Sequence, residues 1–142
     1  MSERKLGTAD YPLAERRPEL VRGRRGKGLA ELTMEDVLSG EVDMEDLRIT
    51  PEALLQQAEI ARDANRATLA GNFERASEMA SLPQNFVMEV YELLRPGRAQ
   101  DKAALEAAAA RLRSEYRAER LAKFVEEAAQ VYEQRGLFTF RF

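Results

Sequence analysis

The run RRPELVRGRRGKG, Arg16 to Gly28, sets six cationic side chains within thirteen residues. Cations at that density can hold phosphates, an acidic lipid surface, or the carboxylates of another protein. The phosphate-loop spacing G-x-x-x-x-G-K-[ST] is missing, and no apolar strand pattern precedes the run. No stacking aromatic is interleaved with the cations, as a single-stranded nucleic-acid groove requires. Residues 1–30 hold eight Lys/Arg against four Asp/Glu, net +4, whereas residues 31–142 hold fourteen against twenty-one, net −7. A basic arm in front of an acidic body suits docking on protein better than binding a polyanion, which the body would repel.

A second concentration of chemistry is the carboxylate run Glu35, Asp36, Glu41, Asp43, Glu45 and Asp46. Calcium loops need the D-x-[DN]-x-[DN]-G order and a distant bidentate Glu, and neither is present. These side chains read instead as helix-start charges on a solvated face. With no His and no Cys, the chain cannot build a Ser-His or Cys-His pair, a His- or Cys-liganded zinc site, or the usual base titrating near neutrality. Tyr91, Tyr116 and Tyr132 fall on apolar helical faces, where tyrosines serve as core residues with a hydroxyl at the rim. Catalytic, cofactor-binding and metal-ligating residues are therefore expected to be none. The docking candidates are the apolar anchors Tyr11, Leu13, Leu20 and Val21 with Arg24 and Arg25.

The elements that must carry these residues are helical. Pro12, Pro18, Gly23, Gly26 and Gly28 interrupt residues 1–32, which are expected to form an extended basic docking arm. Residues 33–142 are expected to form one helical domain. Thr33 can cap a short helix that Gly40 ends, and a second short turn spans the VDMEDLRITPE stretch. Thr50 followed by Pro51 opens a helix to about Ala64, with Leu54, Ala58 and Ala61 on one face. Asn65 suits a left-handed break, and the next helix, from about Arg66 to Ala80, aligns Leu69, Phe73, Ala76 and Ala80. Pro83 opens a helix striped by Phe86, Val87, Val90, Tyr91 and Leu94, and Pro96 ends it. Asp101 caps the last segment, to about Arg135. There Leu105, Ala109, Leu112 and Tyr116 hold one phase and Leu121, Phe124, Ala128, Val131 and Tyr132 another, the pattern of two helices with a bend. Gly136 is the stop. The terminal FTFRF is expected either to fold back on the helices or to enter a partner. The fold class is all-α.

Apolar residues make up 44% and charged residues 33% of the 142, which describes a folded globular chain. No run approaches the length of a membrane helix, and the first residues lack the apolar core of a signal peptide, so a cytoplasmic location is expected.

Several stretches resemble, in collinear order, the small (gamma) subunit of adenosylcobalamin-dependent diol and glycerol dehydratases. They are DYPLAERRPELV, LTMEDVLSGEVDMEDLRITPEAL, QAEIARDANRATLAGNFERASEM, VYELLRPGR and FVEEAAQVYEQR, together spanning about Asp10 to Leu137. The most specific pieces are Asp10 to Leu13, Asp46 to Glu52, Asn72 to Ala76 and Leu94 to Pro96. The resemblance implies a mostly helical subunit bound to a large barrel-shaped catalytic subunit, with a medium subunit completing what is expected to be a dimer of heterotrimers. It implies that adenosylcobalamin lies between the large and medium subunits, not on this chain. It also implies radical dehydration of propanediol or glycerol to the aldehyde inside the large subunit. Glu126 stands where the family usually has Arg, Asn65 where it usually has Gly, and the aromatic tail where its end is more polar. Nine residues precede Asp10, fewer than in relatives destined for bacterial microcompartments. The other readings compatible with the residues are a free-standing helical adaptor and a nucleic-acid-binding module led by the basic arm.

Overall fold

The computed structural model describes residues 4–139, and over these the protein is all-α. The chain divides into two compact units, Met1–Ala80 and Ser81–Phe142.

The first unit is built on a pair of helices, α4 (Pro51–Asp63) and α5 (Ala67–Met79), preceded by α1 (Leu13–Arg16), α2 (Met34–Ser39) and α3 (Met44–Leu47). Local chemistry sets the starts. The Thr33 Oγ1 accepts from the Asp36 N–H at 3.1 Å, and Thr50 Oγ1 does the same for Ala53 at 3.1 Å, with Pro51 in the first turn. Gly40 ends α2 in the left-handed region at φ 86°, and Asn65 takes φ 58° between α4 and α5. Ala58 and Ala61 of α4 meet Ala70 of α5, with Leu69 and Phe73 packed at the edge. The Arg62 guanidinium also pairs with Glu74 across the two helices.

The described part of residues 1–32 is not an extended arm. It forms α1 and short 3-10 turns at Thr8–Asp10, Pro18–Leu20 and Leu29–Glu31. The reason is a set of partners on α4, more than fifty residues away. Glu59 accepts from the Leu6 N–H at 2.9 Å, and Asp63 accepts from the N–H and hydroxyl of Thr8 at 2.7 and 3.0 Å. Leu6 and Leu13 bury themselves on Ile60, with Leu20 and Val21 alongside. The glycine-rich RGRRGKG stretch folds into a tight loop closed by an isolated antiparallel bridge between Arg22 and Gly28.

In the second unit α6 (Gln84–Leu94) packs on α7 (Lys102–Tyr116), and α7 on α8 (Glu119–Gln134). Asp101 caps α7 through a 2.8 Å bond from the Ala104 N–H. The core joins Phe86, Val90, Leu105, Leu112, Leu121 and Val125 to a seam of alanines, of which Ala109, Ala122 and Ala129 have no exposure. Small residues on the seam let α7 and α8 approach closely. The expected bend is a full break: Arg117 is left-handed at φ 54°, and Arg113 clasps the turn by pairing with Glu119 and Glu126, each at 2.7 Å. Glu126 thus answers Arg113.

On α6 the expected stripe keeps Phe86, Val90 and Leu94 but loses Tyr91, and on α8 the buried face shifts by about one position. Tyr91 and Phe124 stand outside the core, 57% and 43% exposed, whereas Leu93 packs inward on α6 and Ala122, Val125 and Ala129 are buried on α8. Tyr116 stacks on Phe86 with ring centroids 5.1 Å apart, and the Tyr132 hydroxyl donates to the Leu94 carbonyl, so these two tyrosines do occupy core and rim. Phe138 folds back against Tyr132, 6.2 Å between centroids; Phe140, Arg141 and Phe142 lie outside the described residues.

Candidate docking surface

An open groove of about 440 Å³ runs along the first unit, between the turn at Tyr11 and the segment that joins α3 to α4. Its apolar lining includes Tyr11, Pro12, Leu29, Leu32, Leu47 and Ile49. Tyr11, Leu29, Leu47 and Ile49 are exposed, and beyond the groove so are Met34, Leu38 and Met44 on the short helices α2 and α3. Leu38, 81% exposed, is the extreme case. Between residues 29 and 50 only Val42 and Asp46 are buried. The region holds many large apolar side chains and hides almost none of them, which marks an interaction surface rather than a core.

Of the residues expected to dock, Tyr11 presents its ring at the groove, 60% exposed. Leu13 and Val21 line the groove from below, but Leu13 is buried in the unit's own core, and Leu20 and Val21 lean on that core. Arg24 donates to the carbonyls of Ile49 and Ala80. Arg25 donates from Nε to Asp46 at 2.9 Å and from its terminal nitrogen to the Glu41 carbonyl at 2.8 Å. The cations thus serve first to fold the loop onto α3. Leu29, Leu47, Ile49 and the apolar residues of α2 were not among the expected anchors. The signal was available: DLRIT places Leu47 and Ile49 beside a helix-opening Thr50-Pro51, where no helical stripe can absorb both.

Asp46 anchors this construction. Its side chain is fully shielded and meets Arg25, with Lys27 at 3.6 Å and the Asp43 N–H donating at 3.0 Å. The Arg25 hydrogen bonds, opposed by desolvation, hold the Asp46 carboxyl well below the usual carboxylate range and raise Arg25 further. Asp10 is lowered by the Gly7 N–H and by Arg4, and Asp63 by the Thr8 N–H. All three shifts fix carboxylates in their charged form, the reverse of what a general acid needs at neutrality. Three of the remaining acidic residues of the 35–46 run are used locally: Asp36 bonds the Thr33 hydroxyl, Asp43 caps α3, and Glu45 pairs with Arg48. Among the described residues no cluster of three or more carboxylates is disposed to hold a metal ion, and no helix is long and apolar enough to cross a membrane. The arrangement offers a candidate binding surface.

Over 126 residues, 89% of this chain and 73% of the relative, the sequence is 48% identical to a propanediol dehydratase small subunit of Citrobacter freundii. Over 134 residues, 94% of this chain and 77% of the relative, it is 46% identical to a propanediol dehydratase small subunit of Salmonella typhimurium. The model of the dehydratase small subunit family matches residues 6–139, which take in both units and the whole groove. With an exposed apolar surface, carboxylates locked in ion pairs and a family match along nearly its full length, the chain belongs to the dehydratase small subunit family.

Proposed function

We propose that the chain is the non-catalytic small subunit of an adenosylcobalamin-dependent diol dehydratase, acting on propanediol or glycerol, and that it docks on the large catalytic subunit through the groove between Tyr11 and Ile49. The observation that carries the docking role is the exposure of Tyr11, Leu29, Leu47 and Ile49 around one groove. Propanediol rests on the names of the two relatives, and glycerol on the resemblance of the sequence to diol and glycerol dehydratases. On this reading the large and medium subunits hold adenosylcobalamin and supply the radical chemistry, and the complex is a dimer of heterotrimers in the cytoplasm. The chain contributes surface and rigidity. Apolar burial supplies the affinity, at roughly 25 cal/mol for each Å² removed from water, and the surrounding charges set orientation.

The test is co-expression with the large and medium subunits, followed by assays with adenosylcobalamin and each diol. The expected result is one complex containing all three chains and dehydrating propanediol or glycerol, while the isolated chain neither turns over diols nor binds adenosylcobalamin at micromolar concentration. Stoichiometric cobalamin binding by the isolated chain overturns the non-catalytic reading.

A further inference from the structure

The groove has a chemical polarity that narrows what can fill it. Its apolar walls are Tyr11, Pro12, Leu29, Leu47 and Ile49; its charged lining is Arg22, Lys27, Arg48 and Asp46. Asp46 is fully shielded and already engaged by Arg25 and Lys27, so it offers no negative charge to a visitor. Arg22 and Arg48 are different: their side chains are about half exposed. Their carboxylate partners within the chain, Glu31 at 3.7 Å from Arg22 and Glu45 at 3.1 Å from Arg48, are not part of the groove lining, and Arg22 also donates to the carbonyls of Glu19 at 3.4 Å and Gly26 at 3.2 Å. Exposed pairs of this kind exchange at little cost, so either arginine can turn to a carboxylate brought into the groove. An occupant therefore meets a row of apolar side chains with a guanidinium at two points of its margin.

We propose that the groove receives a segment of the large dehydratase subunit whose apolar side chains are flanked by carboxylates, the apolar residues lying on Tyr11, Leu47 and Ile49 and the carboxylates meeting Arg22 and Arg48. This rests on the small-subunit reading above and adds the chemistry of the partner segment. Charge complementarity selects the occupant: a neutral apolar segment leaves both arginines facing it without new partners, and a basic one is repelled. Nucleic acid satisfies the arginines but not the aliphatic floor, on which bases have only the Tyr11 ring to stack.

The experiment uses the complex as it assembles. A photo-crosslinking residue introduced at Ile49 is activated in the co-expressed complex, and mass spectrometry identifies the segment it joins. The double variants R22Q/R48Q and Y11A/I49A are compared with wild type for capture of the large subunit at low and high salt, their folding checked by circular dichroism melting. The expected cross-link lies in a large-subunit segment with carboxylates within a few residues of its apolar centre. R22Q/R48Q should weaken capture about three- to thirtyfold at low salt and by less at high salt, and replacing the flanking carboxylates of the identified segment by amides should give a matching loss. A cross-link to a segment without carboxylates, or to a second copy of this chain, overturns the proposal. So does unchanged capture by R22Q/R48Q, which leaves the docking role standing if Y11A/I49A still weakens it. Failure of the wild-type chain to capture the large subunit sinks the small-subunit reading itself.

Discussion

Arg25 of the glycine-rich loop and Asp46 of α3 form a two-pronged ion pair, Nε to Oδ1 at 2.9 Å and a terminal nitrogen to Oδ2, in which the acidic half has no exposure. This pair, with Lys27, fastens the basic loop to the short helices that carry the exposed apolar residues. It converts the most cationic stretch of the sequence into scaffolding.

The pair makes stability depend on acid in a definite direction. The folded carboxyl of Asp46 sits below the ordinary Asp value, as do those of Asp10 and Asp63 in the same unit. Their contribution is therefore complete above the unfolded pKa of about 4 and is lost as pH falls below it. The melting temperature should hold between about pH 7 and pH 5 and fall steadily toward pH 2. D46N should melt lower than wild type at neutral pH and show a shallower acid decline. Thermal scans monitored at 222 nm across that range check both; parallel declines in the two proteins would show that Asp46 does not carry the effect.

Phe86 and Phe124 are both aromatic residues on apolar helical patterns, yet they should differ sharply. Phe86 is buried, stacked on Tyr116 and covered by the Arg111 guanidinium 4.4 Å from its centroid. F86A should cost about 3–5 kcal/mol. F124A, at a side chain 43% exposed, should cost less than about 1.5 kcal/mol. Urea denaturation of the purified chain, read by circular dichroism, gives both values.

Among the N-terminal anchors, folding and docking should separate by mutation. L13A should lower stability by about 2–4 kcal/mol, because Leu13 lies buried with Leu6 and Ile60. Y11A/I49A should leave the melting temperature within about 2 °C of wild type and weaken capture of the large subunit at least tenfold. Melting curves and pull-downs on the same preparations make the comparison; the opposite order would place the docking surface elsewhere.

Gly23 should tolerate no side chain. A Cβ there would collide with the backbone oxygen of Asp46, which cannot rotate away, whereas at Gly26 a Cβ meets open space and only the positive φ of 83° opposes it. G23A should therefore loosen the loop from α3 and raise amide hydrogen exchange across residues 22–28 and 43–47. G26A should leave exchange in α3 near wild type.

Local chemistry in the sequence was enough to find most helix ends. Thr33, Thr50 and Asp101 each accept the N–H that their position predicts, and Gly40, Gly136 and Asn65 take left-handed conformations. What escaped was set by distant partners or by size. The segment ahead of residue 33 holds few apolar residues and several breakers, but Glu59 and Asp63 supply the hydrogen bonds that fold it. On α8 the large Phe124 drew the predicted stripe to itself. The face that meets α7 is instead the one with the small Ala122 and Ala129, because close approach of two helices rewards absence of bulk. The break at Arg117 has no glycine to announce it. For the candidate site, the exposure of the Tyr11 ring was legible, but Arg25, expected on a docking surface, is spent on Asp46 of the same chain, a partner twenty-one residues away. The groove itself was not legible, because it forms only when residues 11 and 49 are brought together.

The ladder from Leu6 to Glu59 and from Thr8 to Asp63, completed by Arg24 reaching the Ala80 carbonyl, has a consequence for biosynthesis. During synthesis Leu6 and Thr8 cannot find these partners until α4 has emerged behind them. The α7–α8 pair, by contrast, closes on near neighbours as soon as its turn is made. During translation Leu6 and Thr8 thus wait for more than fifty residues of elongation, a window of several seconds at roughly 5–20 residues per second, whereas the basic loop can fasten earlier, once Asp46 is made. The segment that carries Leu6 and Thr8 is secured later than the loop behind it, and a chain truncated before α4 leaves it without Glu59 and Asp63 to close upon.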